Sequence, residues 1–215
     1  GAPALEGHVI IAGFGLNGRN LARVLKGTGL PYVILDMNPD TVRSARKAGE
    51  PVIFGDAASR TILEKAGIAG AKGMVLALSD PSSCRRAVRT AKSMNHEAFV
   101  IARTRYAAET DELLALGADD VIPEEFETSL EIFSRVLDKF HIPKNVIDLQ
   151  VQLVRNESYG LFRGTSSYDR PASESVAAML TAGTVETYFV QAGAWFAEQP
   201  LGGIDLRGKT GATVV

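Results

Sequence analysis

"HVIIAGFGLNGRNLARVL", residues His8 to Leu25, joins an apolar, β-rich run to a helical pattern through Gly13, Gly15 and Gly18. The order strand, glycine turn, helix gives each glycine its own task. Gly13 permits the tight turn, Gly15 lets an anion approach the backbone, and Gly18 lets the helix pack closely on the strand. The N–H groups of Leu16, Asn17 and Gly18 would then face a phosphate, with the helix dipole behind them. A lone GxGxxG also closes ordinary loops, so its weight comes from the residues downstream of it. Eighteen residues beyond Gly18, Asp36 ends a second apolar run, "YVILD". A carboxylate there accepts hydrogen bonds from both ribose hydroxyls and repels a 2′-phosphate, which disfavours NADP.

The same alternation repeats as far as Ile122. The spacing predicts strands at His8 to Gly13, Tyr32 to Asp36, Pro51 to Asp56, Met74 to Asp80, Phe99 to Arg105 and Asp120 to Pro123. Most are apolar at consecutive positions, as expected of a parallel sheet covered by helices on both faces. The fold class is therefore α/β: a Rossmann-like, doubly wound, six-stranded parallel sheet. Helices begin at cap signals such as Ser59 and Asp80-Pro81 and end at Gly49 and Gly67. After the last strand, "EEFETSLEIFSRVLDKF" spaces Phe126, Leu130, Phe133, Leu137 and Phe140 three or four apart and should bury that stripe on a neighbouring subunit. "KNVIDLQVQLVRNESYGLF" is a further amphipathic helix, and "RGTSSYDRPASES" (Arg163 to Ser175) is a Ser-rich linker. "VETYFVQ" and "ATVV" are strands, with a turn and short helix between them. This organisation predicts a nucleotide-binding domain at 7–140, a helical linker region at 141–175 and a partial small α+β domain at 176–215. The last segment is too short to bury a core unaided, so a longer parent protein or a partner chain is expected.

Further strand ends converge on the same edge. Met37 follows Asp36; "GDA" places Asp56 and Ala57 near the adenine side, where Asp56 either accepts from the amino group or caps a helix; and "LSD" brings Ser79 to the other flank. Arg103 and Arg105 alternate along the fifth strand and so share a face, where they meet an anion or carboxylates such as Glu124 and Glu125. Cys84 near a helix start is either an activated thiol or a small buried hydrophobe. No Ser, His or Cys has a base partner within a motif, and no paired carboxylates recur with acid–base spacing, so no catalytic residue is assigned. With 23 Lys and Arg against 25 Asp and Glu, no strongly basic surface is implied and nucleic acid is not an expected partner. No apolar run reaches the length of a membrane helix.

Taken in order, "HVIIAGFGLNGRNLARVL", "VILDMNPD", "VIFGDAASRTILEKAGI", "LALSDP", "IARTRY" and "LGADDVIPEEFETSLEIFSRVL" resemble the nucleotide-binding RCK domain, also called KTN or TrkA-N, in the branch attached to Kef-type monovalent cation:proton antiporters. The last 30 or so residues are similar to the start of the companion RCK C-terminal domain. The resemblance implies that an adenine nucleotide binds at Gly13, Gly15, Leu16, Asn17, Gly18 and Asp36, with Asp56 on the adenine side and Arg103 or Arg105 as the strand-end arginine. It also implies a homodimer or larger ring formed through the helix after the sixth strand, and gating of an attached potassium channel or antiporter on the cytoplasmic side of the inner membrane. Glutathione-gated Kef members carry Arg-Phe where this chain has Leu16-Asn17. Without that inner arginine, AMP or NAD(H) is expected as ligand ahead of ATP. The competing readings are an NAD-dependent oxidoreductase, which shares the fold without sharing the function, and a redox-sensing transcription factor.

Overall fold

In the computed structural model, residues 6–162 and 201–204 are described. The chain divides into two compact units, Gly1–Asp169 and Arg170–Val215. The expected linker at Arg163 to Ser175 and the strands expected in "VETYFVQ" and "ATVV" lie outside the described residues. In the second unit a short helix, Leu201–Ile204, falls within the stretch expected to hold one.

The first unit alternates strand and helix. Its strands are β1 (Val9–Ala12), β2 (Tyr32–Asp36), β3 (Val52–Phe54), β4 (Gly73–Leu76), β5 (Phe99–Thr104) and β6 (Asp120–Pro123). Between them run α1 (Leu16–Thr28), α2 (Pro39–Lys47), α3 (Arg60–Lys65), α4 (Pro81–Met94) and α5 (Thr110–Ala115); α6 (Glu124–Lys139) and α7 (Lys144–Phe162) come after β6. All pairings are parallel and the order is β3-β2-β1-β4-β5-β6, the doubly wound arrangement. Local chemistry sets the helix starts. The Asn38 side chain accepts from the backbone N–H groups of Asp40 and Thr41, and Asp80 accepts from that of Ser83 at 2.7 Å, each just ahead of a proline at the first helical position.

Alternation along the strands sorts two cores. Ile10, Ala12, Val33, Leu35, Met74, Leu76, Val100, Ala102 and Val121 face one side, in one buried cluster with Leu63 of α3, Val88 of α4 and Leu113 of α5. Ile11, Ile34 and Tyr32 face the other, with Ala22 and Leu25 of α1 and Val42 of α2. That second layer covers only β1 to β3. Over β4, β5 and β6 the outward residues Val75, Ile101 and Ile122 line an open groove of about 730 Å³, flanked by Leu21 of α1 and by Glu124, Glu127 and Glu131 of α6. Among the described residues, the expectation of helices on both faces therefore holds for half of the sheet and fails for the other half.

The stripe expected on α6 is partly covered within the chain itself. Leu130 is buried and Phe126, Phe133 and Leu137 are half-buried in a helix that packs on α7, with an Arg155–Glu127 ion pair (2.7 Å) crossing between the two. Left in solvent are Ile132, Val136 and Phe140, at 59%, 50% and 75% exposure, spaced four apart on one side of the helix.

Candidate functional site

The winding reverses between β1 and β4, which opens a crevice at the carboxyl ends of the central strands. The glycine turn lies at its mouth. Gly13 has φ +95°, and a Cβ there would stand 2.7 Å from the carbonyl oxygen of Ala77; a Cβ on Gly18 would stand 2.0 Å from that of Gly13. Both positions are closed to larger residues by the fold itself. Gly15 is the opposite case: a Cβ there would meet nothing within 4 Å. It caps α1 with no side-chain hydrogen bond and no acid lies in the first turn, so the N–H groups of the helix start have no side-chain acceptor from the helix's own first turn.

Asp36 is fixed against this turn. One carboxylate oxygen accepts from the backbone N–H of Phe14 and the other from that of Asn38, both at 2.7 Å. Each oxygen keeps a second lone-pair direction for a ligand hydroxyl. Leu16 and Met37 flank the turn with 69% and 61% exposure, apolar surfaces left to solvent beside the crevice. Asp56 accepts from the N–H of Ala58 at 2.9 Å, closing the turn after β3, while Ala57 is buried.

On the far side, Arg103 and Arg105 take different partners. The Arg103 guanidinium grips the Glu124 carboxylate through Nε and Nη2, the second at 2.6 Å, while Nη1 donates to the Leu78 carbonyl at 3.1 Å and lies 3.5 Å from the Ser79 hydroxyl. Arg105 lies beyond the end of β5 and stacks over the Tyr106 ring, 5.5 Å from its centroid. Glu125 accepts not from an arginine but from the backbone N–H of Ala107. The hydrogen bonds from Arg103 hold the Glu124 carboxyl below its usual range, with further help from Asn17 and from the Arg105 charge. Cys84 is a free, buried thiol whose pKa burial pushes up to about 11, so the small-hydrophobe alternative holds and the activated-thiol alternative does not.

A family model for the TrkA-N domain matches residues 9–124. The chain belongs to the TrkA-N domain family. A relative, the K(+) efflux antiporter KefB of Alkalimonas amylolytica, is 35% identical over 159 residues, which are 74% of this chain and 24% of that protein. This TrkA-N chain thus spans about a quarter of the length of that relative. Among solved structures, the Kef C-terminal domain of Shewanella denitrificans in its AMP-bound form aligns at 25% identity with TM-score 0.64, covering 73% of this chain and 96% of the other. The TrkA-N domain of the Escherichia coli inner membrane protein ybaL aligns at 25% identity with TM-score 0.58, covering 60% and 96%.

Within this TrkA-N domain, most of the expected site residues come to one edge. Asn17 comes to the second half of the site: it lines the same groove as Arg103 and Glu124 and helps to hold the Glu124 carboxyl below its usual range. The two residues are 107 positions apart, and only the position of Glu124, directly after the strand-ending Pro123, hinted at their meeting.

Proposed function

We propose that this chain is the ligand-sensing regulatory domain of a potassium transport protein and that AMP or NAD(H) binds across the carboxyl edge of β1 and β4. The observation that carries the reading is the open space at Gly15 beside the anchored Asp36 carboxylate, at an uncapped helix start. A phosphate fits where the Cβ is missing, and the ribose meets Asp36. The AMP named with the Kef neighbour supports the ligand class, and the antiporter relative supports the transport role. The ligand acts as a signal rather than a substrate. NADH held with stoichiometric protein and a broad set of carbonyl compounds should stay reduced; steady turnover would favour an oxidoreductase.

Domain limits of 7–140, 141–175 and 176–215 belong to the same reading, the last as the start of an RCK C-terminal domain. The partners are a second copy of the chain, in a dimer or a larger ring, and a potassium channel or antiporter unit in the inner membrane, with this domain on its cytoplasmic side. Calorimetry with AMP and NADH tests the site. Gly15→Val should abolish binding, and Asp36→Ala should weaken it by about 1.5 to 3 kcal/mol, roughly 10- to 150-fold in Kd, through lost charged hydrogen bonds. Unchanged affinity in both variants would place the site elsewhere.

A further inference from the structure

The Glu124 carboxylate is held by the Arg103 fork, and the pair lines one groove with Asn17 of the glycine turn. The guanidinium therefore lies on the same groove as the turn that faces the ligand. A carboxylate and a phosphate each offer an arginine fork a pair of equivalent acceptor oxygens, so they compete for one arginine. Both members of the pair remain reachable, with side-chain exposures of 23% for Arg103 and 39% for Glu124.

We infer that Glu124 is a specificity-determining residue: an internal anion that occupies Arg103 and must be displaced before a second phosphate of a bound nucleotide can reach it. The inference rests on the nucleotide reading above. A single phosphate is satisfied by the N–H groups of the glycine turn and leaves the pair intact. A diphosphate extends one group further and gains Arg103 only by releasing Glu124. Because Glu124 is the first residue of α6, that exchange reports the charge of the ligand to the helix.

The test is a double-mutant cycle on the full chain, with AMP and ADP affinities measured by calorimetry at one salt concentration. Glu124→Gln keeps the shape and removes the competing charge. It should raise the ADP-to-AMP affinity ratio about 10-fold, and in an Arg103→Ala background the same change should move the ratio less than about 3-fold. Matched thermal unfolding curves establish that each variant is folded, and Glu124→Ala serves in place of Glu124→Gln should the latter melt early. A ratio that does not move, or that moves equally without Arg103, overturns the inference while AMP binding to the parent chain keeps the site reading intact. Failure of the parent chain to bind either nucleotide sinks both.

Discussion

At Gly18 a single added methyl group would meet the carbonyl oxygen of Gly13 at 2.0 Å, while at Gly15 it would meet no protein atom within 4 Å. Two glycines three residues apart therefore answer to different pressures, one from the fold and one from the ligand. Gly18→Ala should destabilise the domain by about 1 to 3 kcal/mol, because backbone rather than a flexible side chain must yield. Gly15→Val should cost about 1 kcal/mol or less through the weaker helix cap while removing nucleotide binding. Thermal unfolding with and without AMP separates the two: Gly18→Ala lowers the midpoint without ligand, and Gly15→Val removes the ligand-induced rise. This division was legible from the motif and its context. What the motif did not disclose is that Asp36 reaches back to the Phe14 N–H, which makes the ribose carboxylate a brace of the turn as well.

The elements are tied at their ends by polar links of the same kind. The Tyr32 hydroxyl at the start of β2 donates to Glu50, whose other oxygen accepts from Lys26 of α1 at 3.0 Å. Burial, then the hydrogen bond to Glu50 and the Glu50 charge, push the Tyr32 phenol up to about 12 from an ordinary value near 10. The folded state thus holds the proton more tightly than the unfolded state. Its contribution is complete below about pH 10 and is lost as pH rises from about 10 to about 12. Tyr32→Phe should flatten the alkaline limb of the stability curve in that window, as read by urea unfolding at stepped pH; an unaltered slope would show that the phenol is not linked to folding. Element boundaries agreed with the sequence where punctuation was local. β2 and β6 match the expected limits, ending at Asp36 and Pro123. β4, expected at Met74 to Asp80, runs Gly73–Leu76 instead. Its apolar run continues past Leu76, but the strand ends where the crevice opens, and hydrophobicity does not record that divergence. The half-covered sheet was illegible for a similar reason: Val75, Ile101 and Ile122 have the same apolar character as the covered strand residues, and only tertiary placement shows that none of the described helices of the first unit lies over them.

At the scale of the molecule, an open apolar groove and an α6 face carrying Ile132, Val136 and Phe140 match in apolar character. We expect a second copy to cover them, and the variants that test it target the exposed residues rather than the half-buried Phe133 and Leu137. Ile132→Asp with Val136→Asp should give monomers in sedimentation velocity, with circular dichroism unchanged; a dimer that persists would place the interface elsewhere. At the junction of β6 and α6, Pro123 ends the strand and Glu124 begins the helix with no loop between. A hinge with no slack does not absorb motion, it transmits it. The 16 residues of α6 form an arm about 24 Å long, so a tilt of about 5° at its root sweeps the far tip through about 2 Å. Under the exchange inferred for Glu124, the domain would have mechanical gain: a fork of hydrogen bonds rearranged at one end would be read as a displacement at the other.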